Sequence, residues 1–168
     1  MAIRFAAPQL VAIAASMALA APALAHEPPA AASDVQSLLP PDAAEAAAIV
    51  DAFHAALDRG DGQAALALLS PDALVFEAGG AERTRDEYAA EHLAADMAFS
   101  KAVPSKVTRR AGRSDGSTAW IASEGRTTGS WKGKQVDRVT TETMVLRRSG
   151  KGWAIVHIHW SSAAAPAN

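Results

Sequence analysis

Two histidines near the end of the chain, His157 and His159, are spaced so that both side chains can lie on one face. They lie in the segment GWAIVHIHWSS, where alternating side chains are typical of a β-strand. Residues two positions apart in a strand point to the same face. Imidazoles placed together in this way can bind a metal ion, exchange protons near neutral pH or line a pocket. Their function depends on the other residues of that face.

The glycine-containing turn RSGKG predicts which residues of the preceding strand face the two histidines. A tight turn there places His157 opposite Glu142 and His159 opposite Thr140. A carboxylate beside an imidazole orients the ring and raises its pKa. Glu142 and His157 are therefore predicted to form an acid–base pair.

The preceding hairpin extends this face to a third strand. If that hairpin is tight and centred near Trp131, Glu124 lies opposite Arg138 and Trp120 lies opposite Glu142. Glu124 and Arg138 could hold an anionic ligand, or they could form a cross-strand ion pair. The predicted face is polar at this end and apolar at the other. The apolar end carries Trp120, Met144, Leu146, Trp153 and Ile155.

A helix predicted from Thr84 to about Phe99 could close a pocket over this face. The segment TRDE at its start fits a capping box. His92 and Asp96 lie one turn apart within the apolar stripe of this helix, which also contains Tyr88 and Phe99. Polar groups in such a stripe need partners, and the strand histidines with their carboxylate could supply them.

Three functions are open for these side chains, and we favour the first, small-molecule binding in a polar pocket. The second is acid–base catalysis by an isomerase, dehydratase or hydrolase. In that case His157 and Glu142 would form one proton-transfer group, and His92 or Asp96 would be the other. The residues expected to contact a ligand are His159, Glu124, Arg138, Tyr88, Phe99 and Trp120.

The third function is binding of a divalent metal ion. His92, His157 and His159 would supply imidazole nitrogens, and Asp96 or Glu142 would complete the site. Imidazole with carboxylate suits zinc, copper, iron or nickel. Apart from such a metal ion, no cofactor is expected.

The opposite face of the last strand is apolar. Val156, Ile158 and Trp160 point there under the predicted alternation, and Val139 and Val145 of the neighbouring strand join them. An uncharged face of this kind suits burial against another sheet or a second subunit. The sequence therefore predicts a homodimer through this face.

The first 25 residues have the features of a secretory signal peptide. Arg4 precedes an apolar run that is too short to span a bilayer, and Ala23–Ala25 form a small-residue cleavage signal. We therefore expect cleavage before His26, export to the periplasm and no stable insertion in the membrane. The predicted segments are residues 1–25 as signal peptide, 26–41 as flexible leader, 42–162 as one domain and 163–168 as a frayed tail.

Charge and composition exclude several classes of function. The chain carries 16 Lys and Arg against 18 Asp and Glu, a net charge of −2, whereas nucleic-acid-binding surfaces are basic. We therefore expect no nucleic-acid partner. The chain has no cysteine, which excludes disulfides, thiolate metal sites and cysteine nucleophiles.

The order of the predicted elements indicates the fold class. Two helices, a strand and a third helix come first, and a meander of about four strands follows. Three N-terminal helices packed on one side of a mostly antiparallel sheet make an α+β fold.

This order and four short segments give the chain a resemblance to a known superfamily. The segments are VDAFHAALDRGD, LVFEAGG, TRDEY and GWAIVHIHWSS, the last of the form W-x-[IV]-x-H-x-H-x-S. From about Asp42 to Ser162 the chain resembles the nuclear transport factor 2-like superfamily, and in particular its SnoaL-like members. Its ending is also similar to the association domain of calcium/calmodulin-dependent kinases. The resemblance implies a cone-like fold, in which the three N-terminal helices pack on a curved sheet. It also implies a pocket between the helices and the concave sheet face, and often a dimer through the other face.

The resemblance does not imply one activity, because this fold hosts isomerases, dehydratases, cyclases, epoxide hydrolases and non-enzymatic proteins. The ketosteroid isomerase pattern, a tyrosine and a protonated aspartate that polarise a carbonyl, is not matched. The single tyrosine, Tyr88, lies on the third predicted helix. The sequence therefore gives no support for isomerase activity.

Overall fold

Helices and strands fill the part of the chain that the computed structural model describes, residues 35–150 and 152–166. The predicted signal peptide and the beginning of the predicted leader lie outside these residues. The α-helices of this part are α1 (Ala44–Arg59), α2 (Gly62–Ala67), α3 (Arg85–Glu91) and α4 (Leu93–Ala102). Its strands are β1 (Gln36–Leu38), β2 (Leu69–Glu77), β3 (Gly80–Glu82), β4 (Ser105–Ser114), β5 (Thr118–Trp131), β6 (Lys134–Ser149) and β7 (Gly152–Ala164). None of the described helices is long and apolar enough to cross a membrane.

The first long helix, α1, forms because its apolar residues recur at helical spacing and face the sheet. Val50, Phe53 and Leu57 are buried on this stripe. The helix ends at Gly60, whose φ of +71° is left-handed and whose amide donates to carbonyls of the last turn. Asp61 then caps α2 by accepting a 3.0 Å hydrogen bond from the amide of Ala64.

The helix predicted from Thr84 to Phe99 is two helices, so the described residues form four α-helices rather than three. The predicted start is correct, because Thr84 Oγ1 accepts from the Glu87 amide at 3.1 Å. The Glu87 carboxylate accepts instead from the amide of Arg83, at 2.6 Å. His92 separates α3 from α4 with φ of −119°. A strand lies between the second and third helices as predicted, and the structure adds the short β3 after it.

The described strands form one sheet in the order β1–β4–β5–β6–β7–β2–β3. β1 pairs in parallel with β4, and β2 with β7, whereas the other neighbours are antiparallel. The α+β class is therefore confirmed. Gln36–Leu38 fall within the predicted leader and Ala163–Ala164 within the predicted tail, yet these residues belong to β1 and β7.

The turn between β5 and β6 lies one to two residues later than predicted. Trp131 pairs with Lys134, and the two residues between them, Lys132 and Gly133, have φ of +49° and +76°. Positive φ at both central positions is the type I′ geometry of a two-residue hairpin. A strand that slips by an odd number of pairing positions presents the opposite set of side chains to each face.

The predicted pairs across this hairpin are consequently wrong. Trp120 lies opposite Val145 rather than Glu142, and Glu124 lies opposite Thr141 rather than Arg138. Both Trp120 and Glu124 therefore lie on the face that points away from the helices.

A β-bulge in β7 reverses the alternation of the last strand. Before the bulge Ile155 lies on the predicted face and is buried, but it pairs with Leu146 rather than with the predicted partner, Met144. The next pair joins Val145 with His157, so Val156 is an extra residue on β7. Every residue after Val156 points to the face opposite to the predicted one.

The bulge separates the two histidines from Glu142. His157 and His159 lie opposite Val145 and Thr143, and Glu142 lies opposite Trp160. The predicted pair of His157 with Glu142 is therefore wrong, as is the pair of His159 with Thr140.

The sheet has an inner face that packs against the helices and an outer face that does not. The inner face contributes Ile121, Glu142, Met144, Leu146, Trp153, Ile155, Ile158 and Trp160. The outer face carries Trp120, Glu124, Val139, Thr141, Thr143, His157 and His159. Apolar side chains of the inner face and of α1 form one buried core. This core supports the polar groups at its edge.

Candidate functional site

The main polar contact between the helices and the sheet joins His54 of α1 to Glu142 of β6. Nε2–H of His54 donates to Oε2 of Glu142 at 2.7 Å. The preceding residue, Phe53, is fully buried in the core, whereas the His54 side chain is 38% exposed. The helix thus anchors one residue and presents the next one at the edge of the core.

Glu142 is a buried carboxylate that is only partly satisfied. Its Oε2 also accepts a 2.8 Å hydrogen bond from Nε1 of Trp160. Its Oε1 is enclosed and has no hydrogen-bond partner among the described residues. A buried oxygen without a partner costs about 1–3 kcal/mol. Glu142 therefore has the capacity to accept one more hydrogen bond at the inner face.

The two partners shift each other toward an ion pair. Desolvation lowers the pKa of His54, but the hydrogen bond and the charge of Glu142 outweigh it, so the pKa lies above 6.5. Desolvation raises the pKa of Glu142, but the bonds from His54 and Trp160 and the nearby positive charges bring it below 4.5. A raised imidazole pKa keeps the ring protonated closer to neutral pH, which suits proton exchange.

A buried cation lies next to this pair. Arg110 of β4 donates to Asp51 of α1 at 2.5 Å and to Ser123 of β5 at 3.2 Å. Its charge lowers the pKa of both His54 and Glu142. The group therefore combines two cations with two carboxylates, and it is close to neutral overall.

Aromatic rings connect the His54–Glu142 pair to a second polar group. Trp160 stacks on Phe53 with ring centroids 6.4 Å apart and also contacts the ring of Tyr88 at 6.5 Å. The hydroxyl of Tyr88 donates to Asp96 Oδ2 at 2.8 Å. Burial raises the pKa of Asp96 and, more strongly, that of Tyr88. Tyr88 and Asp96 are thus paired, but the phenol is donated to the carboxylate and not to a ligand position.

The other two residues predicted on these helices, His92 and Phe99, lie elsewhere. His92 contacts neither strand histidine. Its Nδ1 lies 2.5 Å from Oε1 of Glu82 at the end of β3. Phe99 packs edge-on against Trp131, with ring centroids 5.6 Å apart. Of the four residues predicted on these two helices, only Tyr88 and Asp96 come together at the core beside Trp160.

The strand histidines lie on the outer face, away from the predicted pocket. Nδ1 of His157 is 2.9 Å from the carbonyl of Leu74, and Phe76 packs edge-on against both imidazoles. The only three-residue cluster with metal-ligand spacing among the described residues includes neither His157 nor His159. The predicted metal site of His92, His157 and His159 is therefore wrong.

The predicted ligand contacts from the middle strands are also separated. Glu124 lies on the outer face with Arg109 at 3.9 Å, and Arg138 donates to Ser162 near the end of β7. Trp120 is 41% exposed on the outer face. The structure does not bring these three residues to the inner face with Glu142.

Two of the three residues predicted at a subunit interface belong instead to the inner face. Ile158 is fully buried, and Trp160 stacks on Phe53. The third residue, Val156, is the bulge residue. The predicted position of Ile158 and Trp160 at a homodimer interface is therefore wrong, because the bulge turns both side chains toward the helices. Dimer formation itself stays a prediction.

The sequence reasoning missed His54, although a signal for it was present. His54 follows a core phenylalanine on an amphipathic helix and precedes Asp58 by one turn. A histidine at the border of an apolar stripe can reach a group on the sheet beneath it. Arg110 was missed because charged residues in a strand are usually exposed.

Comparisons with known proteins support the fold. The SnoaL-like domain model matches residues 46–166. A proposed ketosteroid isomerase from Shewanella frigidimarina NCIMB 400 is 32% identical, with a TM-score of 0.69 over 74% of this chain and 99% of that one. No curated protein matches the chain.

Two more distant structures show the same fold. A proposed dehydratase of the NTF2-like family from Streptomyces avermitilis is 21% identical, with a TM-score of 0.63 over 74% of this chain and 97% of that one. A proposed calcium/calmodulin-dependent protein kinase II association domain from Xanthomonas campestris is 24% identical, with a TM-score of 0.60 over 73% and 86%. The resemblance found in the sequence is confirmed, and the chain belongs to the SnoaL-like domain family.

Proposed function

We propose that this chain is an exported protein that binds a small organic molecule beside the His54–Glu142 pair. The observation that supports the proposal most directly is the buried Oε1 of Glu142, which has no hydrogen-bond partner among the described residues. An acceptor that is buried without a hydrogen bond costs free energy, and a bound ligand that donates to it would offset this cost. Export is proposed from the features of residues 1–25.

The residues around Glu142 define the chemical class of the ligand. Oε1 accepts hydrogen bonds, so the ligand needs an O–H or N–H donor. Trp160 donates to the other oxygen of this carboxylate and stacks on Phe53, and these aromatic groups favour a ligand with an apolar or aromatic body. The charges of His54 and Arg110 are balanced by Glu142 and Asp51, so a neutral ligand fits better than an ion.

A ligand screen with matched variants tests binding. Small phenols, enols and alicyclic alcohols are screened by saturation-transfer NMR against the wild type and against Glu142→Gln. Compounds that bind the wild type should bind Glu142→Gln about tenfold more weakly, because a charge-assisted hydrogen bond becomes a neutral one. The outer-face variant His157→Gln should bind like the wild type. Equal binding to wild type and Glu142→Gln, or no binding at all, would overturn the proposal.

A second candidate function is acid–base catalysis by the same pair. Glu142 holds the proton on Nε2 of His54, so Nδ1 of the half-exposed ring can exchange a proton with a bound molecule. A neutral ring could take a proton from the carbon next to a carbonyl and return it to another carbon. The relative at 32% identity is itself described as a proposed ketosteroid isomerase. These two observations favour a proton-transfer reaction over other enzymatic classes.

Isotope exchange separates catalysis from binding alone. Cyclic ketones are incubated with the protein in deuterium oxide, and deuterium next to the carbonyl is followed by NMR. Catalysis predicts exchange above the background rate, lost in His54→Gln and kept in His157→Gln. Exchange at the background rate in the wild type would leave binding as the function.

A further inference from the structure

A second cluster of ionisable groups lies where β3, α3 and α4 meet, on other residues than the His54–Glu142 pair. Glu82 is the last residue of β3, Glu91 the last of α3, and His92 separates the two helices. One ligand atom from each of these three residues lies within 4.8 Å of the other two. Ligands of a single metal ion have separations in this range, since each lies about 2.0–2.2 Å from the metal.

The burial of the Glu82 carboxylate is the feature that most strongly indicates a bound ligand. Glu82 is only 4% exposed. Its one polar contact is with Nδ1 of His92 at 2.5 Å, and this contact does not have hydrogen-bond geometry. Nδ1 of His92 is itself enclosed without a hydrogen-bond partner. Buried carboxylates are normally paired or coordinate metals, and the imidazole nitrogen beside this one lacks a hydrogen bond.

The surrounding charges favour a cation. Glu77 and Asp96 are close enough to interact electrostatically with Glu82 and His92. The nearby arginines do not neutralise the cluster: Arg83 donates to the carbonyl of Ala81, and Arg85 contacts Asp86. Several carboxyl groups thus surround one imidazole.

We propose that Glu82, Glu91 and His92 bind a divalent first-row transition-metal ion, for which Zn²⁺ is the appropriate probe. Two carboxylates and one imidazole form a donor set that Zn²⁺ accepts, and three protein ligands leave a fourth position for water. Glu82 and His92 are positioned by a strand end and a helix junction, and the exposed Glu91 closes the site. The site is separate from the proposed ligand position at Glu142, so either proposal can fail without the other.

Zinc titration of the full chain, purified without a histidine tag, tests the site. Isothermal titration calorimetry should show one Zn²⁺ per chain for the wild type. Removing a ligand with His92→Ala or Glu91→Gln should weaken binding by at least about tenfold. The double variant His157→Ala/His159→Ala should bind Zn²⁺ like the wild type, because both histidines lie on the outer face. Absent or unsaturable binding in the wild type, or loss of binding only in the double variant, would overturn the proposal.

A thermal measurement covers the case in which a variant folds poorly. Glu91 is exposed, so Glu91→Gln should fold like the wild type. A metal that binds only the folded chain raises the melting temperature by mass action. Zn²⁺ should therefore raise the melting temperature of the wild type and of the double histidine variant, and should raise that of Glu91→Gln by less. An equal rise in Glu91→Gln would show that these residues are not the site.

Discussion

His54 and Glu142, 88 residues apart in the sequence, meet at 2.7 Å between α1 and β6. The contact joins the edge of an amphipathic helix to the middle of the sheet. Trp160 and Arg110 also act on Glu142, and both lower the pKa of its carboxyl group. One pair of residues therefore combines a tertiary contact with the titratable groups of the candidate site.

The first prediction concerns the pH dependence of stability. The pKa of His54 is raised by folding, so its stabilisation is fully present below about pH 6.5 and is lost as the pH rises through the folded-state value. The pKa of Glu142 is lowered, so its stabilisation is present above about pH 4.5 and is lost as the pH falls through the folded-state value. Urea denaturation should show the largest stability difference between wild type and His54→Gln between these two pH values, and a smaller one above pH 7.

A double-mutant cycle provides the control for this prediction. In a Glu142→Gln background the same His54→Gln substitution should have little pH-dependent effect, since its charged partner is gone. A stability difference that grows as the pH rises above 7 would contradict the assigned direction of the His54 pKa.

The second prediction compares the stability lost with the hydrogen bond of Trp160 with the stability lost when an exposed tryptophan is replaced. Trp160→Phe removes the hydrogen bond to Oε2 of Glu142. A bond to a charged group contributes about 1.5–3 kcal/mol, so the free energy of unfolding should fall by at least that range. Trp120→Phe is the matched control, because Trp120 lies exposed on the outer face and its substitution should change stability by about 0.5 kcal/mol or less. Similar losses in the two variants would mean that the Trp160–Glu142 bond is weak.

Much of the fold could be predicted because it depends on local patterns. The apolar spacing of α1, the capping residue Thr84 and the alternation of Trp153 and Ile155 all concern neighbours within a few positions. Such patterns are set by the helical and strand periods themselves. The burial of Trp153 and Ile155 on one face with Met144 is therefore confirmed.

The candidate site could not be predicted because it depends on register. The bulge at Val156 lies between Ile155 and His157 in a segment where no glycine or proline marks it. One extra residue there moves His157 and His159 to the outer face. His54 was missed for a related reason, since its partner Glu142 is distant in sequence and only the paired strands show which face that carboxylate occupies.

The third prediction is that the chain forms a homodimer through the outer face. Trp120 and Val139 are exposed there, each by 41%. Val139 also lines a shallow depression of about 280 Å³ across β4, β5, β6 and β7. Uncharged residues occupy much of this face, and a second subunit would remove them from water. Sedimentation at tens of micromolar should show a dimer for the wild type.

Charge substitutions locate the interface of such a dimer. Val139→Lys should shift the chain to a monomer, because it places a charge in the buried patch. Ala52→Lys, on the exposed side of α1, should leave the dimer intact. A monomeric wild type would contradict the prediction, and a dimer that survives Val139→Lys would place the interface elsewhere.

The fourth prediction tests the register of the last hairpin. The chain has no cysteine, so two introduced thiols have no competing partner. Thr143 and His159 lie directly opposite each other, where Cβ atoms are about 4.5–5.5 Å apart. Thr143→Cys/His159→Cys should therefore form a disulfide after mild oxidation. The pair of the register predicted from the sequence, Thr140→Cys/His159→Cys, should stay reduced, because cysteines offset by three residues are too distant to be bridged.

Mass spectrometry after alkylation counts the free thiols in each double variant. Oxidation of the Thr143/His159 variant alone would support the bulge at Val156 and the outward position of both histidines. Oxidation of the Thr140/His159 variant alone would return His157 to the face of Glu142. His157 and His159 would then again be candidates for the site. The register of β7 against β6 decides both which strand residues are paired and which side chains lie on the face of Glu142.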